Sequence, residues 1–186
     1  MVFARTPLEG AWVIDPEPHS DDRGWFARVF CAREFEQIGH QAPFVQINHS
    51  YNHRSGTLRG MHFQWPPHGE AKLIRCIAGR IFDVIVDIRK GSETYLQHFA
   101  LELSAQNRRM LYVPQGFAHG FLTREDRTEV LYHHTEFHTP GGEGGLCYDD
   151  PLLAIPWPGK PTVISERDCG FTRMEKSFEG VQLEND

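Results

Sequence analysis

The chain has 186 residues, 40% of them apolar and 24% charged, with a formal charge of -6 and a pI near 6.0. That length suits one domain with a sizeable core, and no apolar run approaches the roughly 18 residues of a membrane helix. The acidic balance argues against a nucleic-acid binder, whose domains are usually basic, yet stays compatible with a small anionic ligand, because a pocket can be locally positive.

The opening stretch, MVFARTPLEGAWVIDPEP, lacks a basic segment followed by an apolar one, so no secretory signal is expected. AWVI (11–14) and WFARVF (25–30) read as strands. Cys31 to Ile38 reads as a short helix with Phe35 and Ile38 on one face and Gly39 as its stop. Further strands follow at 44–51, 57–64, 72–77, 81–88, 98–103, 110–113, 120–123 and 128–137, all rich in β-branched and aromatic residues. Turn signals separate them at Ala78-Gly79-Arg80, Lys90-Gly91-Ser92, Pro114-Gln115-Gly116 and Glu125-Asp126-Arg127. Many short strands at this spacing indicate an all-β antiparallel sandwich or barrel. The stretch from Pro140 to Pro161, rich in Gly and Pro, reads as a covering loop within a single domain spanning 1–186. The four cysteines form no C-x-x-C pair, and scattered cysteines fit a reducing cytosol, so a cytoplasmic protein is expected.

Strand alternation places Lys72, Ile74 and Cys76 on one face and Leu73, Arg75 and Ile77 on the other. In the 81–88 run, Asp83, Ile85 and Asp87 share a face, which either lines a polar cavity or looks to solvent. The segment Thr57-Leu58-Arg59-Gly60-Met61-His62 sets a glycine inside a strand. Strict alternation sends Arg59 and His62 to opposite faces, whereas a bulge at Gly60 brings both toward one cavity. The chain holds 11 histidines, the side chain best suited to proton transfer near neutral pH and to metal binding. Pro114-Gln115-Gly116-Phe117-Ala118-His119 resembles the second signature of the cupin superfamily of small β-barrels. In metal-bearing cupins an H-x-H pair and a glutamate complete the site. Here His62 is followed by Phe63 and Gln64, so no metal site is expected.

Taken together, D-x-R-G (Asp21 to Gly24), LRGMHFQ, EAKLIRC, GRIFDVIVDIR, VPQGFAHGF, Tyr132 to Thr135, YDDP (Tyr148 to Pro151) and SERD resemble the dTDP-4-dehydrorhamnose 3,5-epimerases of deoxysugar biosynthesis, in order and at family spacing from Asp21 to Asp168. The resemblance implies a cupin-type jelly-roll barrel with one or two short helices and a homodimer with exchanged N-terminal strands. It implies an isomerase acting on a nucleotide-diphosphate sugar without cofactor. It assigns His62 as general base, Asp168 as its dyad partner, Tyr132 as the opposing acid and Lys72 as the ammonium near the sugar's C4 oxygen. Arg23, Phe26, Arg28, Gln46, Asn48, Arg59, His119, His138, Glu143 and Arg167 fall where the family binds the nucleotide sugar. Arg28 stands where the family usually carries glutamate, and Phe137 and His138 stand where it usually has two tyrosines. Both departures lie toward the nucleotide. They motivate two alternatives, an enzyme inverting only one of C3 and C5 and one taking a CDP- or GDP-linked keto sugar. A metal-dependent cupin enzyme is the further alternative.

Overall fold

The structure is a computed structural model that describes residues 1–175 and 178–183. Its elements are, in chain order, β1 (Val2–Arg5), β2 (Trp12–Asp15), β3 (His19–Asp21), β4 (Gly24–Phe26), α1 (Ala32–Phe35), β5 (Gln46–Asn52), β6 (Leu58–Gln64), β7 (Lys72–Ala78), β8 (Arg80–Asp87), β9 (His98–Ser104), β10 (Met110–Val113), β11 (Phe117–Thr123), β12 (Thr128–His134), β13 (Glu143–Gly145) and α2 (Glu166–Cys169). A six-stranded sheet runs β1-β2-β10-β7-β12-β5 and a five-stranded sheet runs β13-β6-β11-β8-β9, both antiparallel throughout. β3 and β4 form a separate hairpin.

Burial explains why the sheets pair. Ile74 and Cys76 from β7, Leu111 and Val113 from β10 and Val130 from β12 meet Ile81, Ile85, Phe117 and Phe121 of the other sheet in one apolar cluster. The opposite face of β8 is covered too, since Val84 and Val86 pack with Met61, Leu146 and Leu153. A strand buried on both faces loses simple alternation of polarity. Asp83 and Asp87 are accordingly both fully buried, and the solvent-facing reading of that face fails. Asp87 is satisfied by Arg89, Ser92 and Thr94.

The helix expected at 31–38 is present as α1 followed by a 3-10 turn over Glu36–Ile38. Gly39 ends it at φ 80, a left-handed cap that glycine adopts cheaply. Phe35 is fully buried beneath the six-stranded sheet's outer cluster. Other expectations need correction. Residues 27–30 are not strand: Val29 packs into that outer cluster and Phe30 stacks edge-on against Phe35 and Phe44. Short apolar runs carry no period of their own, so burial beside a helix looks like burial in a sheet. The strand expected at 128–137 stops at His134, and β11 begins at Phe117 rather than Gly120. The 140–161 loop contributes β13 to the sheet and Leu146 and Leu153 to the core.

Candidate active site

A cavity of about 240 Å³ opens between the two sheets. β6 supplies Arg59, His62, Phe63 and Gln64; β11 supplies His119 and Phe121; β5 supplies Gln46, Asn48 and Ser50; β12 supplies Tyr132 and His134; Lys72 opens β7. Gly60 makes this possible. On β11, His119 pairs with His62 and Phe121 with Arg59, so β6 holds one residue more than its partner between the two pairings. That bulge turns Arg59 and His62 to the same cavity, the second of the two readings the sequence left open. Gly60 sits at φ 126, and a Cβ there would lie 2.5 Å from the Gly120 Cα. Only glycine fits.

His62 Nε2–H donates to Asp168 Oδ1 at 2.7 Å, which leaves Nδ1 as the basic nitrogen. The second oxygen of Asp168 accepts from the Gly60 amide at 3.0 Å. The Ser165 hydroxyl caps α2 by accepting from the Asp168 amide, which fixes the carboxylate's origin. Burial pushes the Asp168 carboxyl up, but the hydrogen bonds from His62 and Gly60 outweigh it and hold the group below the usual carboxylate range. Asp168 and Arg167 line an adjoining groove that shares Arg59 and His62 with the main cavity.

On the facing sheet, Tyr132 shares a 2.9 Å hydrogen bond with the Ser50 hydroxyl. Burial drives the phenol's pKa up, so it stays protonated at neutral pH. Lys72 Nζ lies 3.0 Å from Glu70 Oε1, and His134 Nδ1–H donates to Glu70 Oε2 at 2.7 Å. His119 bonds Asp83 at 2.7 Å. Burial raises the Asp83 carboxyl, and His119 only partly opposes that. At the mouth, Glu143 accepts from Arg167 at 3.1 and 3.2 Å and lies 3.2 Å from His138. Arg59 Nε donates to Asn52 at 2.7 Å.

The structure therefore brings His62, Lys72, Tyr132, Gln46, Asn48, Arg59, His119, His138 and Glu143 to one cavity, with Asp168 and Arg167 directly behind His62. It does not bring Arg23, Phe26 and Arg28 there. They belong to the β3–β4 hairpin and the segment leaving it: Arg23 pairs with Asp21, Phe26 is 76% exposed, and Arg28 pairs with Glu34 at 2.6 Å. The sequence reading also missed Ser50, Glu70 and His134 as site residues, and it left Asp83 open between a polar cavity and solvent. A signal existed for two of them: Ser50 continues the alternate positions of Gln46 and Asn48, and His134 stands two residues after Tyr132. Among the described residues no three His, Cys, Asp or Glu side chains are arranged to hold a metal ion.

Residues 5–176 match the family described as dTDP-4-dehydrorhamnose 3,5-epimerase. The chain belongs to this family. A dTDP-4-dehydrorhamnose 3,5-epimerase of Methanothermobacter thermautotrophicus is 45% identical over 179 residues, covering 94% of this chain and 95% of the relative. The Bacillus anthracis enzyme of that name, solved with TDP and PPi bound, superposes with a TM-score of 0.90 at 39% identity, over 93% of this chain and 99% of that one. A Legionella pneumophila dTDP-6-deoxy-D-glucose-3,5-epimerase, solved with dTDP-4-keto-L-rhamnose, gives a TM-score of 0.91 at 34% identity, over 99% of each chain. The all-β fold is thus the cupin-type jelly roll of these epimerases, and the chain is an isomerase of their class.

Proposed function

We propose that this epimerase acts on dTDP-4-dehydro-6-deoxyglucose, inverting C3 and C5 by removing and returning protons next to the C4 carbonyl. The observation that carries the reading is the convergence of a carboxylate-bound imidazole, a phenol and an ammonium on one cavity. His62 Nδ1 takes the proton from carbon, and its imidazolium is stabilised by Asp168. The electron pair left on carbon moves to the C4 oxygen, where Lys72 meets the developing charge, a contribution of several kcal/mol in comparable sites. Tyr132, on the opposite sheet and kept protonated by burial, returns a proton to the other ring face. The step as written uses ionisable side chains alone, so it calls for no metal or organic cofactor. Arg59 and Arg167 suit the diphosphate, because guanidinium forks match phosphate oxygens. Gln46, Asn48, His119, His138 and Glu143 complete the binding surface.

We assign Arg23, Phe26 and Arg28 to the nucleotide end of a partner's cavity, in a homodimer of single-domain chains. Support for the dimer comes from the exposed Trp25 and Phe26 of the hairpin and from β5, an edge strand flanked by exposed Val45 and carrying exposed Ile47 and Tyr51. The expected location is the cytoplasm. No described helix is long and apolar enough to cross a membrane.

The test incubates the protein with dTDP-4-keto-6-deoxyglucose in deuterated water and reads the sugar by NMR, with His62→Asn as control. Deuterium at both C3 and C5, absent in the variant, is the expected outcome. Deuterium at one carbon would establish the single-centre alternative. No exchange with the dTDP sugar, but exchange with its CDP or GDP counterpart, would move the assignment to another base.

A further inference from the structure

Glu70 precedes β7 by two residues, and its carboxylate is divided between an ammonium and an imidazole. Lys72 Nζ lies 3.0 Å from one oxygen and His134 Nδ1–H donates to the other at 2.7 Å. The three side chains are about nine-tenths buried, at 9% exposure for Glu70 and Lys72 and 10% for His134. The strand register sets His134 directly opposite Lys72, so the triangle is built into the β7–β12 pairing.

The arrangement reaches further than the ion pair. With its Nδ1 proton committed to Glu70, His134 presents an Nε2 lone pair, which accepts from Asn48 Nδ2 at 3.3 Å. Asn48 Oδ1 in turn accepts from Gln46 Nε2 at 3.2 Å. The His134 ring also lies nearly parallel to Tyr132, with centroids 6.2 Å apart. One carboxylate therefore ties Lys72 to the row of amides on β5 and to the ring behind the proposed acid.

A buried ammonium without a counter-charge gives up its proton readily. The ionisable groups that share the cavity with Lys72 are Glu70 on its own segment, Tyr132 and His134 on β12, His119 on β11, Arg59 and His62 on β6, and His138 and Glu143 at the mouth, and Asp83 on β8 lies close enough to feel its charge. Asp168 is turned to His62, and Asp83 is bonded to His119. Glu70 is the carboxylate in contact with the ammonium among the described residues.

We propose that Glu70, braced by His134, is a positioning residue for the epimerisation: it keeps the Lys72 ammonium charged and aimed at the sugar's C4 oxygen. The inference rests on the reading of Lys72 as the oxyanion partner, and the test separates the two. Wild type, Glu70→Gln, Glu70→Asp and Lys72→Gln are compared for deuterium exchange into the dTDP keto sugar from pH 6 to pH 10. The Lys72 13Cε resonance, assigned with the Lys72→Gln variant, is titrated in parallel. Glutamine keeps the shape of Glu70 and removes its charge. The expected result is an alkaline limb and a Lys72 titration moved down by about one pH unit or more in Glu70→Gln, with Glu70→Asp between it and wild type. Exchange in Lys72→Gln falls at least a hundredfold at every pH. Should Glu70→Gln not fold, the smaller downward shift in Glu70→Asp decides. An unmoved limb and titration, with Lys72→Gln inactive, overturns the role of Glu70 and leaves the epimerase reading standing. Activity retained in Lys72→Gln overturns both roles, and a wild type without exchange overturns the epimerase reading itself.

Discussion

Replacing Asp168 by asparagine tests how much of the proton transfer is electrostatic. The change removes the charge and keeps one acceptor oxygen for either the Gly60 amide or His62 Nε2–H, now 3.0 and 2.7 Å from the two carboxylate oxygens, with an NH2 donor at the other. Unit charges about 4 Å apart attract by about 4 kcal/mol at an effective dielectric near 20. His62 is 34% exposed to the cavity, so solvent screening trims the attraction to about 2–3 kcal/mol. At about 1.4 kcal/mol per decade, that is a fall of about a hundredfold in kcat/KM. The assay is the initial rate of deuterium uptake into the keto sugar at pH 7, with the thermal midpoint measured alongside. A variant that keeps its midpoint and works within threefold of wild type would refute the claim that Asp168 stabilises the imidazolium.

Asp83→Asn should be mild by comparison, within about fivefold of wild type in the same exchange assay, because burial already pushes the Asp83 carboxyl up, against its charged form, and the amide keeps a polar partner beside His119. Gly60→Ala should cost about 3 kcal/mol and lower the thermal midpoint by about 6–12 °C by scanning calorimetry, since φ 126 and the backbone of Gly120 and His119 leave no place for a methyl group. Glu70 is, like Asp168, pushed up by burial and held lower overall, chiefly by its hydrogen bond from His134 and the charge of Lys72. Stability from both groups is complete above the unfolded carboxylate value of about 4 and is lost as pH falls through the lower folded values. The thermal midpoint should therefore drop on acidification below about pH 4, and less steeply in Glu70→Gln.

What the sequence made legible was local. β10 matches its expected span at Met110–Val113, because Arg109 and the Pro114-Gln115-Gly116 turn punctuate it on both sides. The Gly60 bulge was readable because glycine inside a strand of bulky residues has few other uses. β1 and β3 were missed because they are short and mostly exposed, with little apolar pattern to find. β13 was missed because Glu143-Gly144-Gly145 has no strand propensity, and Gly144 is there to let the Phe63 ring lie against the backbone. The site residues that escaped or stayed open are those defined across strands. Glu70 matters because His134 stands opposite Lys72, and Asp83 matters because both faces of β8 are covered. Register and layer packing are properties of the assembled sheet, and one strand's residues do not carry them.

Three of the histidine–carboxylate pairs around this cavity have the same chemistry on paper and different electrical fates, and the number of donors at each carboxylate decides which. Asp168 receives His62 on one oxygen and the Gly60 amide on the other, so it stays ionised despite burial. Glu70 receives His134 and faces Lys72, with the same outcome. Asp83 has His119 alone as a side-chain partner among the described residues, its other oxygen is buried with none there, and burial pushes its carboxyl up. An ionised carboxylate favours the imidazolium of its histidine, and a neutral one does not. Asp168, held toward its charged form, therefore supports the proposed role of His62 in accepting a proton from carbon, and the raised Asp83 offers His119 less of that support. The amide that tips Asp168 toward its charged form belongs to Gly60, the same residue whose bulge turns His62 into the cavity. One glycine thus sets both the position of the proposed base and the charge behind it.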